Sequence, residues 1–173
     1  QALAEVPAAR RDGMAFLVEN MPAADLLALP AEFLLENLQL AYDGWETAAW
    51  RASVTQEKFF NDVLPYSCLN EARDPWRAQL REISSPLIAG CKTPGEAAQV
   101  LNQKLFSKLN VRYNTSRQRP DQSPRETMQS GIATCTGLAI LLVDACRSVG
   151  IPARVAGTPM WSNLRGNHTW VEV

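Results

Sequence analysis

A thiol attacks carbonyl carbon well only as a thiolate. The first turn of a helix favours that form, because unpaired backbone N–H groups and aligned peptide dipoles attract negative charge. Cys135 is placed for this. It precedes Thr136 and Gly137, and then Leu138, Ile140, Leu141, Leu142, Val143, Ala145 and Val149, apolar residues that cover nearly every side of a helix. A helix that is apolar all round belongs in the centre of a domain. Gly131, Ala133, Thr136 and Gly137 are small or flexible; they leave room for a substrate carbonyl, with backbone amides facing the oxyanion that develops on it. The alternative is that Cys135 is a small packed thiol, which is the expectation for Cys146.

A nucleophilic cysteine needs a base within reach. The one histidine, His168, opens the stretch His168-Thr169-Trp170-Val171-Glu172, which alternates as a strand does. Gln129, six positions before Cys135, is a candidate donor to an oxyanion, the alternative being a polar residue that closes a short helix. Trp161 is a candidate lining for a substrate groove, whereas Trp170 is expected in the core. Asp144 and Arg147, three apart on the helix, are expected to form a local ion pair or face solvent. Arg154 is expected to pair with a carboxylate. The four cysteines, Cys68, Cys91, Cys135 and Cys146, contain no C-x-x-C pair. They read mostly as free thiols, and with a single histidine no metal site is expected.

These residues need a scaffold, and the first two thirds of the chain read as helices punctuated by proline. Residues 14–20 form one, followed by Pro22. Pro30 suits a first helical turn ahead of Phe33, Leu34, Leu38 and Ala41, and Tyr42 with Asp43-Gly44 ends that helix. Leu26, Leu27, Leu34, Leu35 and Leu38 are expected to cover the domain's own core rather than a partner face. Thr55 caps a helix reaching Leu64, and Asp74-Pro75 opens another carrying Trp76, Leu80 and Ile83. Thr93-Pro94-Gly95-Glu96 and Ser123-Pro124-Arg125-Glu126 are both capping boxes with proline at the first helical position. The first of these helices runs to about Leu109 and the second breaks at Gly131, with a loop over residues 114–123 between them. Gly150 suits a left-handed cap for the helix that Cys135 opens, and Pro152 prevents its continuation. Residues 153–158 and 168–173 read as strands separated by a turn-rich stretch.

Composition narrows the function classes. The 173 residues fit one domain, or a small domain with a helical extension. With 17 Lys and Arg against 18 Asp and Glu, and no basic stripe, neither a nucleic acid nor an anionic membrane is an expected partner. The longest strongly apolar stretch, residues 138–143, falls far short of the roughly 20 residues a membrane span requires, so a soluble chain is expected. A start at Gln1 fits a mature end after signal-peptide removal, hence export to a periplasm or the extracellular space, or else a cut cytoplasmic chain.

Three segments occur in a particular order. They are Ser130-Gly131-Ile132-Ala133-Thr134-Cys135-Thr136-Gly137-Leu138, then Arg147-Ser148-Val149-Gly150-Ile151-Pro152-Ala153-Arg154, then Gly166-Asn167-His168-Thr169-Trp170-Val171-Glu172-Val173. Over residues 131–173 this resembles the transglutaminase-like superfamily, whose cores show a cysteine opening an apolar helix, a Gly-Ile-Pro-Ala-Arg turn into a strand, and a histidine strand. The resemblance implies an α+β, papain-like core over residues 91–173, behind a helical lobe of residues 1–90. It implies Cys135 as nucleophile, His168 as general base and no cofactor. The family's orienting carboxylate lies on the strand after the histidine. Asp121, Asp144 and Glu172 are poor substitutes for it, so the third member of the triad is expected beyond Val173, in a core read as truncated there. The implied activity is acyl transfer through a thioester on an amide carbonyl of a peptide or protein. Hydrolysis is preferred because no calcium-binding loop is visible. The alternatives are a protein-crosslinking transglutaminase and a catalytically silent peptide- or carbohydrate-binding domain.

Overall fold

Where the sequence carries complete capping chemistry, the helices begin where it dictates. In the computed structural model, which describes residues 2–173, Thr93 and Ser123 each accept from the backbone N–H three residues on, while Glu96 and Glu126 reach back to the cap. These boxes start α7 (Pro94–Lys108) and α8 (Pro124–Ser130), preceded by α1 (Ala2–Glu5), α2 (Arg11–Asn20), α3 (Ala23–Ala28), α4 (Ala31–Glu46), α5 (Gln56–Asp62) and α6 (Arg77–Leu87). Gln1, on which the expectation about a mature N-terminus rests, lies outside the described residues. α9 (Cys135–Ser148) follows, with Gly150 at φ +76° just beyond it.

α9 is the axis of the molecule. Ile140, Leu141, Val143, Ala145 and Cys146 are wholly buried, in contact with α4, α6, α7 and α8. Against it also lie β3 (Arg154–Thr158) and β4 (His168–Glu172), an antiparallel pair with Thr158 opposite His168 and Arg154 opposite Glu172. The last pair carries the expected ion pair of Arg154, with 2.9 Å between Arg154 and Glu172. A parallel pair, β1 (Arg112–Tyr113) and β2 (Ile132–Ala133), fixes the approach to Cys135. Many helices with two small sheets are compatible with the α+β class. One apolar cluster runs through the chain, from Ala2 and Met14 through Trp45 and Phe59 to Leu141 and Ala153.

Four expectations need correction. Asp43-Gly44 does not end its helix, because α4 continues to Glu46. Gly44 serves close approach instead: a Cβ there would come within 2.8 Å of the Ser148 carbonyl oxygen, and one on Gly150 within 2.6 Å of the Gly44 carbonyl oxygen. Asp74 does not cap the helix that follows it, since α6 begins at Arg77; its carboxylate accepts from Arg125 N at 3.1 Å, in the first turn of α8. Leu26 and Leu27 are exposed on α3, while Leu34 and Leu38 are buried. Asp144 and Arg147 neither pair with each other nor face solvent, and both are buried.

That last departure reveals a polar network behind α9. Arg147 donates to the carbonyls of Ala153 and Ser67 at 3.0 Å. Arg77, on α6, donates to Asn37 Oδ1 and to the carbonyls of Arg147, Val63, Leu64 and Pro65, all within 3.2 Å. Glu71 accepts from the N–H groups of Cys68 and Leu69 at 2.6 and 2.7 Å. The Cys68 thiol reaches Asp144 Oδ1 at 3.5 Å. Burial pushes the Asp144 carboxyl up to about 8, against the pull of Arg147. Irregular backbone around residues 62–69 could not otherwise be buried, because each unmet carbonyl there would cost free energy.

The Gly44 contact makes a test. Gly44→Ala is expected to destabilise the fold by about 1–3 kcal/mol, because the new methyl meets backbone rather than a movable side chain. At Gly95, where a Cβ meets nothing within 4 Å, the same substitution is expected to be neutral or slightly stabilising. Equal denaturation midpoints for the two variants would remove the close-approach explanation.

Candidate active site

The chain enters α9 through Thr134, which is extended and contributes no side-chain cap. The first helical bond runs from Leu138 N–H to Thr134 O at 3.0 Å. The Thr134 side chain therefore leaves the N–H groups of the first turn uncapped, where Cys135 sits half-buried. Gly137 allows that turn to press on β2, since a Cβ there would lie 2.9 Å from that of Ala133. Behind it the fully buried Gln122 donates to Ser130 Oγ and Ile132 O at 3.2 and 3.1 Å.

Cys135 opens onto a cavity of about 990 Å³, whose wall also includes His168, Trp170, Tyr113, Arg117 and Asn102. Directly after the two candidate residues, Thr136 and Thr169 join the helix to the strand, their hydroxyls 3.0 Å apart. Alternation along β4 then follows. Thr169 meets α9 and Val171 packs on the core, so His168 and Trp170 take the other face. The imidazole stacks between two indoles, 5.8 Å from Trp161 and 6.2 Å from Trp170 between ring centres. Among the described residues, no hydrogen bond joins it to the Cys135 thiol.

The cavity thus brings Cys135 and His168 to one space but leaves out the other two candidates. Gln129 is exposed on α8 and Trp161 is 42 % exposed, and neither lines it. Trp170 is 38 % exposed rather than in the core, because Thr169 and Val171 hold the inward positions of its strand. Burial pushes the Cys146 thiol up to about 12 and the Cys68 thiol well above its ordinary value, so both are poor nucleophiles. The metal-type grouping found among the described residues is Cys68, Glu71 and Asp144, in the polar network behind α9 and outside the cavity wall. No helix among the described residues is long and apolar enough to cross a membrane.

The family model of the transglutaminase-like superfamily matches residues 81–173, more than half the chain. The chain belongs to the transglutaminase-like superfamily. The match takes in the second half of α6, all of α7 to α9 and both sheets, hence every residue lining the cavity. Cysteine-dependent acyl transfer is the chemistry this superfamily suggests in general. No curated protein and no solved structure matches this transglutaminase-like chain.

Sequence reasoning missed the hydroxyl pair Thr136 and Thr169, and it passed over Arg117 in the loop it left without structure. The hydroxyl pair had one available signal, since each follows a candidate residue directly.

Proposed function

We propose that this transglutaminase-like chain performs acyl transfer on an amide carbonyl of a peptide or protein, with water as the final acceptor. In this reading the core is papain-like. His168 takes the proton of the Cys135 thiol, and the thiolate forms a bond to the carbonyl carbon. First-turn N–H groups of α9 hold the oxyanion. The C–N bond then breaks, the imidazolium gives its proton to the leaving amine, and water hydrolyses the thioester. The observation that carries the proposal is the position of Cys135, first residue of the buried α9, on a cavity that His168 also lines. Taking up the base role requires the imidazole to leave its indole stack, at a cost of about 0.5–1.5 kcal/mol per aromatic contact.

A second reading, a silent peptide- or carbohydrate-binding cleft, has one observation in its favour. The ladder Trp161, His168 and Trp170 presents aromatic faces, with the histidine ring stacked between the two indoles. Iodoacetamide at neutral pH separates the two. Mass mapping is expected to find Cys135 labelled at least about tenfold faster than Cys91, the other half-buried thiol outside the polar network. Equal rates would favour the silent cleft.

A further inference from the structure

The loop between β1 and α8 carries two arginines with different surroundings. Arg119 is held by Glu126 at 2.9 Å. Arg117, two residues earlier, lines the cavity, and its one bond is from Nη1 to the Thr115 carbonyl at 3.1 Å. Its Nε–H is buried with no acceptor, and no carboxylate among the described residues lies within ion-pair distance of it. The cavity wall contains no aspartate or glutamate among the described residues. Gln99 and Asn102 on the same wall offer only uncharged amides. The positive end of α9 opens into the same space.

A guanidinium whose buried N–H meets no acceptor is completed best by an anion, which accepts a charge-assisted hydrogen bond. We infer that Arg117 is a substrate-binding residue for a carboxylate, so that the site takes peptides carrying an acidic side chain or a free C-terminus near the amide it attacks. The assignment rests on the acyl-transfer reading for what happens at that amide. Recognition of the carboxylate is a separate matter. A guanidinium presents parallel N–H groups to the two carboxylate oxygens, a match that a neutral amide isostere cannot reproduce.

The test uses short glycine- and alanine-based peptides that carry either Glu or Gln beside the central amide, each made with a free and an amidated C-terminus. Nuclear magnetic resonance titration into the Cys135→Ala chain measures binding alone. At least one carboxylate is expected to tighten binding on the order of tenfold over its neutral counterpart. The Glu/Gln pair and the free/amidated pair tell the two carboxylate sources apart. Arg117→Gln is expected to remove that preference, and Arg117→Lys to keep part of it. Equal binding of all four peptides, no binding by any, or a preference that survives Arg117→Gln overturns the inference. Iodoacetamide labelling of Cys135 in the unaltered chain is read separately. Its failure would sink the acyl-transfer reading while the titration still decides the role of Arg117.

Discussion

Alanine at His168 is expected to lower amide turnover by about 10²–10⁴, the usual share of a positioned general base, while alanine at Cys135 is expected to remove turnover and electrophile labelling together. The two differ because Cys135 would form the covalent bond, whereas His168 would only move a proton. Without the imidazole, hydroxide still ionises the thiol, so His168→Ala should retain slow turnover that rises with pH. The hydroxyl contact between Thr136 and Thr169, at 3.0 Å, ties each residue's neighbour to the other's element. It holds the strand that carries His168 against the helix that Cys135 opens. The measurement is kcat/KM against pH for the three proteins on one peptide substrate. Wild-type rates in His168→Ala would leave the histidine as the middle ring of an aromatic ladder.

What the sequence disclosed depended on how local the determinant was. The capping boxes at Thr93 and Ser123, the left-handed Gly150 at φ +76°, and the buried helix from Cys135 all declare themselves within a few residues. The two-residue strands β1 and β2 are too short to show any alternation, and their pairing depends on the separate approach of Asn110 and Gly131. Gly44 was misread for the same reason. Asp-Gly signals a turn unless another backbone crosses there, and nothing local announces the end of α9. Trp170 and His168 were placed on the right strand, but which face of that strand meets α9 is set by Thr169 and Val171 packing across space. Arg117 was invisible because a loop arginine reads as solvated until the cavity wall and the absence of a partner are both known.

Arg77→Leu is expected to destabilise the fold by about 3–5 kcal/mol, a large part of the total stability of a domain this size. The side chain is almost wholly buried and serves four carbonyls and the Asn37 amide oxygen. Leucine fills much of the volume but donates nothing. The Leu64 carbonyl keeps its bond from Asn37 Nδ2 at 2.9 Å and the Arg147 carbonyl that from Gly150 N–H at 3.2 Å, whereas no second donor among the described residues' hydrogen bonds reaches the Val63 carbonyl. Each carbonyl left unmet costs about 1–3 kcal/mol. The charge matters as well, because burial pushes the Arg77 guanidinium down only to about 9, so it stays cationic at neutral pH. Asp144 lies in its field and in that of Arg147. Losing one cation should raise the Asp144 carboxyl further and favour its neutral form. That form is the one burial already prefers, so the stability it contributes is full below about pH 4 and fades as pH rises through about 8. Arg77→Lys keeps the charge but cannot span the same acceptors, and its loss should fall between wild type and leucine. Urea denaturation followed by tryptophan fluorescence ranks the three. A leucine variant as stable as wild type would mean that water replaces the guanidinium behind α9, and that the irregular backbone over residues 62–69 does not depend on it.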